Sequence, residues 1–262
     1  MRELLSEICR VARQCGEMTR AADWEEIAAA EKTSRRDLVT AFDTRVQAYA
    51  VETLERAFPG AQFICEEGAV FHAAAGGLVF VIDPIDGTAN FVHHFGQSCT
   101  SIACVQDGKP VAAAIYTPYR DELFAASAGA GATLNGMPIH VTAEPLADSL
   151  VLFGTTPYNA DCADETFRMA RAVYGRCQDV RRSGSAALDL CYTACGRVGL
   201  FFECALSVWD YAAGALIVQE AGGRCHTLTG APLPFDRPAR CSVIAGSEAC
   251  IRESGLLRDA EG

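Results

Sequence analysis

The sequence predicts a mixed α/β protein of two lobes, and three observations lead there. Residues 4–18 and 41–58 carry helical periodicity, residues 62–126 read as successive short strands, and residues 149–221 alternate strand with helix. The expected division is an N-terminal α+β lobe over 1–142 and a C-terminal α/β lobe over 143–262, the second completing a site begun in the first.

Leu4, Ile8, Val11, Cys15 and Met18 recur at three- and four-residue spacing, so the chain opens on an amphipathic helix. A second helix covers 41–58, with Val46, Ala50 and Leu54 on one face and a stop at Pro59-Gly60. Strands are expected at 62–65, 78–82, 98–105, 111–117 and 122–126. The turns Asp107-Gly108-Lys109-Pro110 and Pro118-Tyr119-Arg120-Asp121 make this sheet largely antiparallel. After Ala143-Glu144-Pro145 the expectation is a strand at 149–154, a helix at 162–175, a strand at 179–182 and a helix from Gly184. A strand at 198–203, a helix at 209–221, two short strands and a closing helix complete the chain. There is no internal repeat and no low-complexity tail.

The 262 residues are half apolar, ample for a real core, and carry a formal charge of -11. Lysine occurs only at Lys32 and Lys109, so a nucleic-acid partner held by clustered cations is not expected. The thirteen cysteines are scattered, form no CxxC pair, and read as reduced core thiols. Cys191 and Cys195 stand at helical spacing without the partners a zinc site needs. Acids at Glu3 and Glu7 interrupt any apolar leader, and no apolar run approaches a membrane span, so the expected location is cytoplasmic.

The chemistry gathers where the apolar run Leu78-Val79-Phe80-Val81-Ile82 ends on Asp83-Pro84-Ile85-Asp86-Gly87-Thr88. Pro84 pushes Asp83 out of the helical region, Gly87 permits close backbone approach, and Thr88 opens a segment able to expose free N–H groups. Such a turn can hold a cation and an anion together. Glu66-Glu67, Asp43 and Asp210 supply further acids at strand and helix ends, and converging carboxylates repel unless Mg²⁺ or a similar hard cation neutralises them.

On these residues the sequence resembles the inositol monophosphatase family, within the fructose-bisphosphatase-like group of lithium-sensitive phosphatases. The matching signals run nearly end to end. They are Lys32 with Asp37-Leu38-Val39-Thr40 and Asp43, the Glu66-Glu67 pair, Asp83 to Phe91, Trp209-Asp210 with Ala212-Ala213-Gly214, and Glu220-Ala221-Gly222-Gly223. The resemblance implies the layered αβαβα sandwich of the sugar phosphatases and a homodimer. It implies two or three Mg²⁺ ions: Glu66, Asp83 and the Ile85 carbonyl for the first, Asp83, Asp86 and Asp210 for the second, Glu66 for a weaker third. It also implies that Gly87 and Thr88 amides bind phosphate, that Asp43 and the Thr88 hydroxyl orient the attacking water, and that no covalent intermediate forms. Arg181, Gly184, Ser185, Ala186 and Glu203 fall where the family reads the alcohol of its substrate. The implied reaction is hydrolysis of a small phosphate ester, myo-inositol 1-phosphate foremost. Fructose 1,6-bisphosphate, 3′-phosphoadenosine 5′-phosphate, NADP and histidinol phosphate are the alternatives.

Two departures stand out: Gly68 replaces a common Ser, and the loop from Gly68 to Gly77 is short and rich in Ala and Gly, which bears on the third metal and on lithium sensitivity. His93 and His94 read as surface or rim residues. Among rival readings, an aspartyl-phosphate phosphatase is disfavoured because its two acids sit two apart rather than three and no Lys follows Lys109. A nucleotide-binding turn at Gly129-Ala130-Gly131-Ala132 lacks the third glycine. An inactive relative acting as a binding or regulatory protein is disfavoured because every matched metal position keeps its oxygen ligand.

Overall fold

The first helix, α1 (Arg2–Arg20), buries Leu4, Ile8, Val11, Ala12 and Cys15 on one face, as its spacing predicts. A two-stranded antiparallel ribbon, β1 (Ala29–Ser34) and β2 (Asp37–Thr40), follows and was not foreseen. Its last residue, Thr40, starts α2 (Ala41–Ala57), which buries Val46, Ala50 and Leu54 and ends before Pro59-Gly60. The computed structural model describes residues 1–22, 29–34, 37–68, 77–235, 237 and 240–257, with the backbone alone for 29–34 and 37–39. Lys32 and Asp37-Leu38-Val39, as side chains, and the loop residues 69–76 therefore lie outside what is described.

The large sheet has seven strands in the order of the chain: β3 (Gln62–Cys65), β4 (Val79–Asp86), β5 (Cys99–Gln106), β6 (Lys109–Thr117), β7 (Glu122–Ser127), β8 (Ala132–Leu134) and β9 (Met137–Ile139). Only β3 and β4 pair in parallel. A short helix, α3 (Thr88–Val92), leaves the end of β4. The β8–β9 hairpin also escaped the sequence reading, although its signal is present. Asn135-Gly136 forms the two-residue loop with φ of 49° and 80°, the left-handed pair that a tight hairpin demands. The Gly129-Ala130-Gly131 run joins β7 to β8, and the Glu220 carboxylate accepts the Gly129 and Gly131 amides at 2.8 Å each. Those two donors are thus spent inside the fold.

The second half supplies β10 (Leu150–Phe153), α4 (Ala163–Tyr174), β11 (Asp179–Arg181), α5 (Ala186–Ala194), β12 (Leu200–Leu206), α6 (Val208–Glu220), β13 (Arg224–His226), β14 (Cys241–Gly246) and α7 (Glu248–Ser254). Its five-stranded sheet runs β11-β10-β12-β14-β13, the first three strands parallel.

Alternation along the strands divides the molecule into layers. Phe80 and Ile82 of β4 face α1 and α2, whereas Val81 faces the opposite core. That opposite core holds α5 and α6, closed on its far side by Phe201, Val243 and Ala245 of the second sheet. Leu200, Phe202 and Ile244 face outward onto Met169 and Val173 of α4 and Ile251 of α7. The order helix, sheet, helix, sheet, helix is the αβαβα sandwich. Because α6 lies between two sheets, it is buried from Val208 to Val218 apart from Trp209, and it is apolar nearly all round. All thirteen cysteines are free thiols, and among the described residues no helix is long and apolar enough to cross a membrane.

The central helices meet where α6 has Gly214, and a Cβ there would come within 2.6 Å of Leu190 Cβ and 2.5 Å of its Cδ1 on α5. Gly214→Val should therefore lower unfolding stability by about 1–3 kcal/mol through overpacking, despite valine's better helix propensity. Urea unfolding of the variant checks this, and an unchanged midpoint contradicts it.

Candidate active site

Three carboxylates meet below a cleft between the layers. Asp83, Asp86 and Asp210 are all buried, and oxygens of the three lie within 4.8 Å of one another. Asp83 and Asp86 stand three apart on one strand, a spacing that regular alternation would send to opposite faces. A β-bulge resolves this. Asp83 pairs with Ser101 but Asp86 with Cys99, so β4 carries one extra residue, at Pro84-Ile85, and both acids turn the same way. Proline is tolerated at such a bulge because no ladder donor is needed there. Ile85 anchors the bulge in the α1/α2 core, and Thr100 Oγ1 donates to the Pro84 carbonyl at 2.9 Å.

Each acid is held differently. The Asp86 Oδ2 accepts the Ser185 hydroxyl and, at 2.8 Å, the Ala187 amide, so it sits on the N-terminus of α5, where partial positive charge favours an anion. Asp210 is the third residue of α6 and accepts the Ser207 amide at 2.7 Å, returning a hydrogen bond to the residue that starts its own helix. Asp43 repeats the device on α2, accepting the Thr40 amide at 2.8 Å and the Thr40 hydroxyl at 2.6 Å. Asp83 is the exception: its Oδ1 is buried with no hydrogen-bond partner among the described residues.

Burial raises the carboxyl pKa of all three clustered acids. For Asp83 the next causes are the charges of Glu66, Asp86 and Asp210, and for Asp210 those of Asp86 and Glu66. For Asp86 the Ser185 hydroxyl and the Ala187 and Ala186 amides oppose the rise. An orphaned carboxylate oxygen among mutually repelling acids fits a hard divalent cation, which takes oxygen ligands and removes the repulsion.

Gly87 follows at φ 87°, and a Cβ there would meet the Gln97 carbonyl at 2.8 Å, so the backbone itself forms the cleft wall. It starts α3, whose first-turn amides have no acceptor within the helix. The Thr88 hydroxyl lies 3.4 Å from Asp43 Oδ1 and 3.2 Å from the Ile85 carbonyl. Glu66, Asp83, Ile85, Asp86, Gly87, Thr88 and Asp210 line the cleft, and Gly184, Ser185, Ala186 and Glu203 line its other end. Asp43 is not among the lining residues, and the Thr88 hydroxyl stands between it and the cleft.

Arg181 is not at the cleft. Its guanidinium bonds Asp179 and the Val180 carbonyl on the edge of the second sheet, and Arg182, turned the opposite way along the extended chain, lines the cleft instead. His93 and His94 are exposed and do not line it. The sequence reading also missed the segment Gly154 to Tyr158 and Asp189. Thr156 accepts a φ of 43°, unusual for a β-branched residue, and gives its amide to Glu203 Oε1 at 2.8 Å and its hydroxyl to the same oxygen at 3.2 Å. Burial pushes the Glu203 carboxyl up to about 7, against those two hydrogen bonds. Asp189 on α5 is buried, its carboxyl raised by burial, and it accepts the Ser183 hydroxyl at 2.5 Å. A Gly-Thr-Thr-Pro-Tyr run straight after an apolar strand is the signal that could have drawn notice to 154–158, because ligands gather beyond the carboxyl ends of parallel strands.

A five-layer α/β sandwich with a buried carboxylate cluster under an open polar cleft is the arrangement of a metal-dependent phosphatase. The chain matches the inositol monophosphatase family over residues 1–259, and it belongs to that family. It is 41% identical over 218 residues to the Nus factor SuhB of Xylella fastidiosa, covering 82% of this chain and 78% of the relative. Among solved structures, the extragenic suppressor protein suhB from Bartonella henselae superposes with a TM-score of 0.90 at 31% identity, covering 98% of each chain. The inositol monophosphatase from Anabaena (Nostoc) sp. PCC 7120 gives a TM-score of 0.84 at 31% identity, with 98% of this chain and 95% of that one covered. Family membership supports a Mg²⁺-dependent phosphatase.

The raised carboxyls fix a pH dependence. A group whose folded pKa exceeds its unfolded value favours the fold fully below the unfolded value and loses that contribution as the pH rises through the folded one. Without divalent ions, Tm should therefore fall as the pH rises above the usual carboxylate range and through about 7, where Glu203 titrates, and added Mg²⁺ should reduce the fall. Glu203→Gln should flatten the portion near neutrality. Thermal melts across pH, with chelator and with Mg²⁺, test both, and a flat metal-free profile contradicts them.

Proposed function

We propose that the chain hydrolyses a small phosphate monoester, myo-inositol 1-phosphate foremost, to the alcohol and inorganic phosphate. The observation that carries the reading is the convergence of Asp83, Asp86 and Asp210 within 4.8 Å beside the opening turn of α3. In this reading Asp83, Asp86 and Asp210, with Glu66 and the Ile85 carbonyl, hold two or three Mg²⁺ ions. Bound there, Mg²⁺ supplies Lewis-acid charge at the phosphoryl group and at water.

The chain's own residues do the rest. The Gly87 backbone and the first amides of α3 meet phosphate oxygens, as helix N-termini do. Thr88, whose hydroxyl lies between Asp43 Oδ1 and the Ile85 carbonyl, presents its remaining lone pairs to a water, and Asp43 is the acceptor to which the proton passes. Ser185 and the α5 amides aim Asp86 and oppose the rise that burial imposes on its carboxyl pKa. At the far end, Glu203, held by Thr156, accepts a hydroxyl of the alcohol, and Gly184 to Ala186 offer backbone amides to it.

The Anabaena neighbour, called an inositol monophosphatase, supports this substrate. The two carboxyl groups at the cleft rim, Asp189 and Glu203, offer acceptors to hydroxyls and support a polyol over a leaving group bearing a second phosphate. The free thiols support a reducing, cytoplasmic setting, and the family resemblance supports a homodimer. A second reading, a binding or regulatory protein, draws on the relative's name, Nus factor SuhB, which states no reaction.

Phosphate release from myo-inositol 1-phosphate, fructose 1,6-bisphosphate, 3′-phosphoadenosine 5′-phosphate, NADP and histidinol phosphate, compared by kcat/KM with Mg²⁺, decides the substrate. Inositol phosphate should lead. Asp86→Asn should lower its turnover by about a hundredfold or more, because a charged ligand of the cluster is removed. Unchanged Mg²⁺-dependent release in that variant would sink the catalytic reading and favour the regulatory one.

A further inference from the structure

Resting on that reading of the cleft, we propose that Arg182 is its specificity-determining residue, selecting polyol phosphates by donating to a hydroxyl oxygen next to the one that Glu203 reads.

Among the described residues that line the cleft, Glu66, Asp83, Asp86, Asp189, Glu203 and Asp210 are acidic and Arg182 is the single cation. Its position is set at both ends. Nη2 donates to Thr155 Oγ1 at 3.2 Å, and Nη1 lies where a Cβ on Gly184 would approach it to 2.6 Å. The guanidinium therefore spans from the 154–158 segment, which carries the Thr156 donors to Glu203, to the turn that carries Ser185. Its charge lowers the carboxyl pKa of both Asp189 and Glu203, opposing the rise caused by their burial, so it stands near both.

The donor count leaves Arg182 free to act. A guanidinium has five N–H groups, and the bond to Thr155 uses one. Glu203 complements it: Oε1 takes both Thr156 donors, and Oε2 is left to accept. An acceptor and a forked donor side by side match two neighbouring hydroxyls, one giving its proton and one receiving a hydrogen bond. Pro157, Tyr158 and Leu206 add an apolar shelf for the C–H face of a ring. A second phosphate would meet Arg182 too, but its acceptor oxygens would also meet the acceptor oxygens of Glu203 and Asp189. Uncharged vicinal hydroxyls meet no such opposition.

The test compares Arg182→Ala with the unaltered protein on two esters in Mg²⁺: myo-inositol 1-phosphate, and phenyl phosphate, whose leaving group carries no further hydroxyl. KM and kcat are measured, and binding of each ester is followed by calorimetry. For the inositol ester KM and Kd should rise about tenfold with kcat little changed, the loss of one charge-assisted hydrogen bond. The phenyl phosphate constants and Tm should stay put, and Arg182→Lys, which keeps the charge but not the fork, should fall between. An equal change on both esters, or on neither, overturns the proposal, as does an unaltered protein that binds the inositol ester no better than phenyl phosphate. If no ester is hydrolysed yet inositol-ester binding still weakens only in the variant, the hydrolytic reading fails and the role of Arg182 stands.

Discussion

Everything in this structure is arranged around the cost of holding three carboxylates within 4.8 Å of one another out of water. Helix starts meet most of it. Asp86 rests on the first amides of α5, Asp210 on the first turn of α6, and Asp43 behind them on that of α2. A helix N-terminus offers unsatisfied N–H groups and positive potential at once, so an acid there satisfies the helix and is satisfied by it. Asp83 has no such support for Oδ1, and it is where the fold leaves an electrostatic demand open.

The layers exist to bring those helix starts together. The cores on the two faces of the large sheet fix β4, and the central core fixes α5 and α6 against both sheets. Leu190 packs so closely on Gly214 that no side chain fits between the two helices there. The parallel strands β10, β11 and β12 then bring Gly154, Arg182 and Glu203 to the same cleft from the other sheet. The carboxylate cluster at one end of the cleft and Glu203 with Arg182 at the other thus rest on different sheets joined by a shared helical layer.

Much of this was legible in the letters, because the signals were local. The apolar run into Asp83, the spacing of α1 and the breaker after α2 each depend on neighbours in the chain. The illegible parts depend on distance or register. No spacing rule tells that Pro84-Ile85 bulges and so reunites Asp83 with Asp86, since that follows from pairing with Ser101 and Cys99. Likewise Ser185 meets Asp86 across 99 residues, and Arg182 replaces Arg181 at the cleft only because of where β11 lies on its sheet edge. The β8–β9 hairpin belongs to a different kind of miss, for Asn135-Gly136 announced it plainly.

The helix-starting role of Asp43 and Asp210 has a consequence for how such chains diverge. An acid that starts a helix is kept by selection on folding even after selection on turnover has relaxed, so a descendant with no hydrolytic role would still carry both. Their presence is then a record of architecture as much as of chemistry. Asp83 carries no comparable structural duty at Oδ1, and drift there would be the first visible trace of a lineage that had given up the reaction.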